Sequence, residues 1–209
     1  MRAWVFGAAS DKAEDIIFCK RIKFNENDLI ICADGGYDKA ALIGITPDIV
    51  IGDMDSLKGK IPDGVKRIVH PSAKDKTDMD LCIDYALESG CNEIILLCAF
   101  GGRIDHSIAS LISLRRITES GAEGMLLTAR SKVFLIKEKT RIKKEGYSKL
   151  SIIPVTDIAR GVTTEGLWYP LENAELKQTD NLGISNAFSA NEAVVDVKDG
   201  ILCIICETD

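Results

Sequence analysis

Two carboxylates one residue apart, Asp53 and Asp55, stand where an apolar run breaks off at Gly52. The run, Ile49-Val50-Ile51, follows Pro47 and reads as a short buried strand. On an extended backbone, residues two apart face the same way, roughly 6.6 Å from each other. The two acids therefore converge on one point. Like charges so placed repel by a few kcal/mol at an intermediate dielectric, and a divalent cation between them removes that cost. An acidic turn that merely closes a strand has the same composition. Three further polar clusters in equivalent places favour chemistry.

Those clusters are Asp34-Gly35-Gly36, residues 72–80 and Phe100-Gly101-Gly102-Arg103-Ile104-Asp105-His106. Each follows a predicted strand and precedes a predicted helix. In a parallel sheet such carboxyl ends share one edge, where folds of this type bind ligands. Chain order alone thus gathers Asp34, Asp53, Asp55, Asp75, Asp78 and Asp105 near one crevice, with Lys74, Lys76 and Arg103. Many carboxylates mixed with a few cations suit Mg²⁺ and a polyphosphate: magnesium prefers carboxylate oxygen and water and is often shared with phosphates. Lys and Arg can hold the remaining phosphate charge, and glycine pairs let backbone approach a ligand closely. The chain has no Walker A and no G-x-G-x-x-G sequence, which argues against a P-loop or an ordinary dinucleotide site. Plainer roles stand beside these. Asp78 and Asp80 open a helix, where the dipole favours acids, and Asp80 fits a cap pattern with Thr77. Asp105 can cap the next helix. Gly35 and Gly101 can serve turns, and Lys74 and Lys76 can be solvated. Arg103, between a double glycine and an acid, favours phosphate binding.

The elements that must position these groups alternate. Strands are predicted over residues 3–6, 29–33, 49–51, 65–69, 93–99 and 124–128. Helices are predicted over 12–21, capped by Ser10 or Asp11, and over 37–43, closed by Gly44. Two more follow over 77–88 and 105–120. The 77–88 stretch carries Met79, Cys82, Ile83, Ala86 and Leu87 at helical spacing and is ended by Gly90. This rhythm describes an α/β fold, a mostly parallel sheet with flanking helices. After about residue 129 it changes. Short strands over 132–136, 148–154, 161–164 and 167–169 lead to a hairpin, 193–197 and 201–206, turning at Lys198-Asp199-Gly200. This half reads as a small antiparallel β-domain. The basic stretch 137–144 reads as a solvated strand edge or loop.

Composition sets the outer bounds. A chain of 209 residues, 46% hydrophobic and 28% charged, is one large domain or two small ones with a real core. A net charge of -6 argues against a general nucleic-acid binder. No stretch approaches the roughly 18 apolar residues of a membrane span. The apolar N-terminus is too short for a secretory signal. A cytoplasmic location is the expectation. The seven cysteines are odd in number and mostly lie in apolar segments, as reduced buried thiols do. Cys203 and Cys206 are three apart, which on a strand puts them on opposite faces. Only His70 and His106 exist, so a histidine-rich metal site is excluded.

Five segments in order resemble the thiamine pyrophosphokinase family: Ala33-Asp34-Gly35-Gly36, Gly52-Asp53-Met54-Asp55-Ser56, Lys74-Asp75-Lys76-Thr77-Asp78-Met79-Asp80, Gly101-Gly102-Arg103-Ile104-Asp105-His106 and Gly183-Ile184-Ser185-Asn186. The resemblance implies an α/β nucleotide-binding catalytic domain over 1–129. It implies a C-terminal antiparallel β-sandwich over 130–209 for thiamine binding and dimerisation. It further implies a homodimer with shared active sites, no nucleic-acid or membrane partner, and transfer of a diphosphate group from ATP to the hydroxyl of thiamine with release of AMP. Carried onto this chain, Asp53, Asp55 and Asp78 hold Mg²⁺. Arg103 and Lys76 neutralise the transferred diphosphate. Asp105 orients or deprotonates the nucleophile, or helps bind magnesium. Asp34, Gly35, Gly36, Asp75, Thr77, Gly102 and His106 contact ATP, the co-substrate. Ser185, Asn186, Trp168, Tyr169 and Phe188 serve thiamine, although Trp168 and Phe188 also suit a β-domain core. Asp80 departs from the Glu of many relatives, and Trp168-Tyr169 from the more usual Lys-Trp. Two rivals remain at this stage. One is an Asp-x-Asp phosphatase of the haloacid dehalogenase type, which expects the motif after the first strand rather than the third. The other is a nucleotide- or thiamine-binding sensor without turnover.

Overall fold

Apolar residues run almost unbroken along four neighbouring strands, and such runs build a sheet buried on both faces. The computed structural model describes residues 1–10, 12–71, 73 and 75–209. Asp11, Ser72 and Lys74 lie outside the described residues. The chain divides into two compact units, Met1–Ala129 and Arg130–Asp209. The first contains β1 (Arg2–Phe6), α1 (Ala13–Arg21), β2 (Leu29–Ala33), α2 (Gly36–Leu42), β3 (Ile49–Gly52), β4 (Lys66–Val69), α3 (Asp78–Glu88), β5 (Glu93–Leu97), α4 (Ile104–Glu119) and β6 (Glu123–Leu127). Its strands run in the order β6-β5-β1-β2-β3-β4, and every pair is parallel. Trp4, Phe6, Cys32, Val50, Ile95 and Leu97 pack with Cys19 of α1 and with Tyr37 and Ala40 of α2. The intervening residues, among them Val5, Ile31, Ile51, Ile94 and Leu96, are equally buried. Each such side chain contributes about 1.5–3 kcal/mol on leaving water.

Helix ends follow local chemistry. Thr77 caps α3: its hydroxyl accepts from the Asp80 amide while the Asp80 carboxylate accepts from the Thr77 amide, a capping box. The predicted cap of α1 is corrected. Lys12 is the capping residue and no side chain caps it. The Ser10 hydroxyl instead donates to the buried Asp15 carboxylate at 2.5 Å, a stronger acceptor than any backbone group because it is charged.

The second unit holds β7 (Ser131–Ile136), β8 (Thr140–Lys143), β9 (Lys149–Pro154), β10 (Ile158–Glu165), β11 (Ala174–Lys177), β12 (Asn186–Ala187), β13 (Glu192–Asp196) and β14 (Leu202–Glu207). One antiparallel sheet has the order β12-β9-β14-β7 and the other β11-β10-β13-β8. Their facing side chains, including Leu150, Ile152, Val162, Val195, Leu202, Ile204 and Phe188, share one core. The basic stretch contributes β8, an edge strand. All seven cysteines are buried thiols outside any disulfide.

Two expectations fail here. Residues 167–169 form no strand; Leu167 makes a single bridge to Phe188, because the Asn186 side chain takes both backbone groups of Tyr169. The final hairpin is absent as well. β13 pairs with β10 and β8, whereas β14 pairs with β7 and β9, so the segment between them crosses from one sheet to the other. Arg160 pins that crossing: its amide donates to the Asp199 carbonyl at 2.8 Å, and its carbonyl accepts from Lys198 and Asp199. Gly200 there has φ +99°, and an added Cβ would lie 2.7 Å from Thr156 Oγ1 and 2.9 Å from the Ile158 carbonyl. Gly200→Ala is therefore expected to cost about 1–3 kcal/mol in urea denaturation. Gly64→Ala, with nothing within 4 Å, should stay within about 0.5 kcal/mol of the parent.

Candidate active site

The strand order reverses at β1. β2, β3 and β4 are added on one side, β5 and β6 on the other. At such a switch point, the loops leaving the carboxyl ends part and leave a crevice. A cavity of about 330 Å³ lies there. Gly7, Ala8 and Ala9 wall it after β1, Asp34 and Gly35 after β2, and Ala99 after β5. Thr77, Asp78 and Met79 contribute from the start of α3, and Asp105, His106, Ser110 and Ser113 from α4. No polar motif marks the Gly7-Ala8-Ala9 loop in the sequence. Its signal was available: the first predicted strand also ends in a run of small residues before a helix.

Asp34, Asp53 and Asp55 each bring one carboxylate oxygen within 4.8 Å of the others. The convergence of Asp53 and Asp55 does not come from the pleat. β3 stops at Gly52, and Met54 turns the chain with φ 67°. The Asp55 amide donates back to Asp53 at 3.3 Å, and Ser56 Oγ donates to Asp55 at 3.0 Å. Gly52 is required by crowding, since a Cβ there would come 2.7 Å from the Asp34 Cβ and 3.2 Å from the Asp78 carboxylate. Asp34 is 5% exposed. Its Oδ2 accepts from the Ser56 amide at 3.3 Å, while its Oδ1 is buried with no hydrogen-bond partner. Burial pushes its carboxyl above the ordinary value; the bonds from Ser56 oppose this, and the charges of Asp78 and Asp53 add to it.

A buried orphan oxygen among like charges fits a hard divalent cation, which takes carboxylate oxygens and water. Asp34 thus joins Asp53 and Asp55 in the set that can hold it. Asp78 stands beside that trio, close enough for Asp34 to feel its charge.

Arg103 and Asp105 form a two-point ion pair, Nη2 to Oδ2 at 2.6 Å and Nε to Oδ1 at 3.1 Å. Asp105 caps nothing: the α4 capping position is Arg103, without a side-chain cap, and Asp105 accepts from the adjacent His106 amide at 2.9 Å. The Arg103 guanidinium, aided by that amide, holds the Asp105 carboxyl down at about 2. Asp105 lines the cavity; Arg103 meets it through Asp105. Lys76 is paired with Asp84 at 2.7 Å, and Asp75 is exposed outside the cavity wall. Asp80 serves structure. Besides closing the α3 cap it accepts from Ser113 at 3.2 Å and from Arg116 at 3.3 Å. Gly36 lets α2 start against β1, where a Cβ would sit 2.0 Å from the Phe6 carbonyl. A Cβ on Gly102 would likewise sit 2.3 Å from the Ala9 carbonyl.

In the second unit, Trp168 and Tyr169 are 67% and 71% exposed, while Phe188 is buried in the sandwich core. The Asn186 carboxamide clamps the loop that presents the two exposed rings, donating to the Tyr169 carbonyl at 2.7 Å and accepting from its amide at 3.1 Å. Ser185 is exposed with φ 60°, and its amide donates to Ser151 Oγ.

A parallel sheet with a carboxylate-lined switch-point cavity, followed in the chain by an antiparallel β-sandwich, is a two-unit α/β architecture that offers a ligand site at the strand ends of its first unit. Residues 21–126 match the family model described as Thiamin pyrophosphokinase, catalytic domain, and residues 139–202 that described as Thiamin pyrophosphokinase, vitamin B1 binding domain. The chain belongs to the thiamin pyrophosphokinase family of enzymes. It is 28% identical over 192 residues to Thiamine pyrophosphokinase of Bacillus subtilis (strain 168), covering 88% of this chain and 90% of that one. It is 28% identical to Thiamine pyrophosphokinase 2 of Arabidopsis thaliana, covering 85% and 77% respectively. The crystal structure of the Bacillus subtilis enzyme matches with a TM-score of 0.89 at 25% identity over 100% of both chains. The fold of yeast Thiamin Pyrophosphokinase matches with a TM-score of 0.78 over 99% of this chain and 86% of that one, at 18% identity.

The strain at Asp34 has a measurable sign. A carboxyl raised in the folded state favours folding below its ordinary 3.8 and opposes it as pH climbs through the folded value. In EDTA at pH 7, Asp34→Asn should raise the thermal midpoint by about 2–4 °C, as relief of about 1 kcal/mol would. MgCl₂ is expected to stabilise the parent further and the variant not at all. A lower midpoint in EDTA would contradict the like-charge account.

Proposed function

We propose that this protein is a thiamine diphosphokinase: it transfers the terminal diphosphate of ATP to the hydroxyl of thiamine, with Mg²⁺ as cofactor, and releases AMP. The observation that carries the reading is the buried, partnerless oxygen of Asp34, which lines the switch-point cavity and has Asp53 and Asp55 beside it, in a chain matched by both thiamin pyrophosphokinase domain models. The thiamine oxygen bonds to the β-phosphorus. The bond from that phosphorus to the oxygen bridging the α-phosphorus breaks, and the hydroxyl proton leaves to solvent or phosphate. Bound magnesium supplies neutralisation of phosphate charge. Asp34, Asp53 and Asp55 hold the cation, with Asp78 alongside, and the Gly7–Ala9 wall fixes the nucleotide. Arg103 keeps three N–H donors beyond the two engaged by Asp105, enough to meet the transferred diphosphate. Asp105, held at about 2, is far from the near-neutral value that suits a general base; it orients Arg103. The exposed Trp168 and Tyr169 offer faces to the cationic thiazolium, worth about 0.5–2 kcal/mol. The same reading makes the working form a homodimer with shared sites.

Protein mixed with Mg-ATP and thiamine should yield AMP and thiamine diphosphate in equal amounts. Asp53→Asn and Asp55→Asn should lower that rate by orders of magnitude with the fold intact. Arg103→Lys, which keeps charge but loses the planar fork, should lower kcat more than thiamine affinity. No AMP from the parent protein would overturn the assignment.

A further inference from the structure

Asp15 is a buried carboxylate that neither the motifs nor the family match touches: it precedes residue 21, where the catalytic-domain match begins. It is 4% exposed, in the first turn of α1. Its Oδ2 accepts from Ser10 Oγ at 2.5 Å and its Oδ1 from the Ala129 amide, just beyond β6, at 2.8 Å. Ser10 is fully buried. Its hydroxyl also accepts from the Lys12 amide at 3.3 Å, and its own amide donates to the Cys98 carbonyl, just beyond β5, at 3.0 Å. One carboxylate therefore joins the carboxyl ends of β1 and β6, and the amide of the Ser10 it holds ties in that of β5.

What these ends carry is the cavity wall. Ala8 and Ala9 immediately precede Ser10, and Ala99 follows Cys98; all three line the cavity. Gly102 rests on the Ala9 carbonyl so closely that a Cβ would fall 2.3 Å from it. The Arg103–Asp105 pair follows directly. An apolar side chain at position 15 would fill the space without the cost of burying charge. The carboxylate adds two acceptors of fixed direction, and these set where the β1 loop stands.

We propose that Asp15 is a positioning residue for the reaction at this cavity. Through Ser10 and Ala129 it fixes the Ala8–Ala9 wall, and on that wall it seats the Gly101–Gly102 turn that delivers Arg103 and Asp105. The proposal rests on the diphosphate-transfer reading for its kinetic consequence but not for its structural one. A displacement of about 1 Å in such a wall costs on the order of tenfold to a hundredfold in rate.

The test compares Asp15→Asn and Ser10→Ala with the parent by segment-resolved hydrogen exchange and by kinetics. Both variants should exchange faster in residues 7–10 and 99–103 and unchanged in residues 49–56. Both should lose on the order of tenfold in kcat/KM for Mg-ATP, with the KM for thiamine unmoved. The Asp15→Asn, Ser10→Ala double variant should lose no more than the worse single one, since the two act as a unit. Asp28→Asn is the control for destabilisation alone: Asp28 accepts from Trp4 Nε1 at 2.8 Å, away from the carboxyl edge. It should lower the thermal midpoint without the kinetic loss. If Asp15→Asn does not fold, Ser10→Ala, lacking one hydroxyl, decides. Unchanged exchange at 99–103, or parental kcat/KM for Mg-ATP in folded variants, overturns the proposal. Should the parent make no AMP, the diphosphate-transfer reading falls and the exchange comparison alone decides the clamp.

Discussion

Like charge gathered at one edge of a sheet is the constraint on which this structure turns. Asp34, Asp53 and Asp55 share a space in which their oxygens lie within 4.8 Å. Burial and the neighbouring charges of Asp78 and Asp53 push the Asp34 carboxyl above its ordinary value. Asp34 bears the greatest burden, since it is also buried and one of its oxygens has no partner. Nothing in the hydrophobic effect asks for this arrangement, and like charge held this close opposes folding. The rest of the first unit supplies what holds it: a parallel sheet buried on both faces, whose strand ends cannot relax apart without breaking a continuous core.

Backbone strain is placed at the same edge. Of the six non-glycine residues with positive φ among those described, Asp34, Met54 and Cys98 stand just beyond the carboxyl ends of β2, β3 and β5. Left-handed backbone costs an L-residue roughly 1–2 kcal/mol. Each of these turns redirects the chain within a residue or two of its strand, so that acids or wall residues face the crevice rather than continuing along the sheet. Strain, buried charge and crowding at Gly52 coincide because they serve one geometry. Away from the edge, the carboxylates are compensated in ordinary ways, as with Asp80 between Thr77, Ser113 and Arg116.

Much of this was legible in the sequence, and the reasons differ by residue. Strand–helix alternation in the first unit follows from apolar periodicity, and the shared edge of the four polar strand ends follows from it by topology. The Thr77–Asp80 capping box is local chemistry, so it was readable to the residue. What escaped was non-local. Whether β13 and β14 form a hairpin or cross between sheets is decided by Arg160, some forty residues away, which no short-range turn signal encodes. The commitments of Lys76 to Asp84 and of Asn186 to the Tyr169 backbone are invisible until the chain is folded. So is the burial that distinguishes Phe188 from the exposed Trp168. The convergence of Asp53 and Asp55 was foreseen for a wrong reason: a left-handed Met54, not the strand pleat, brings them together.

The Arg103–Asp105 pair shows how electrostatics narrows chemistry that sequence leaves open. A lone carboxylate at the start of α4 admits three roles: base, metal ligand and orienting group. Beside a guanidinium that bonds both its oxygens, its affinity for a proton falls, and with it its strength as a base. The same pair leaves one side of the planar Arg103 fork unspent. A carboxylate that is fully ionised and bidentate is a poor proton acceptor but a good hinge-stop, and it directs the remaining donors along one line. Phosphoryl transfer needs little more from a protein than charge placed in advance and held still. The crowded acids at the end of β3 and the ion-paired guanidinium at the start of α4 are opposite charges that the fold places on one edge of the sheet, where the loops leaving β1 and β5 part.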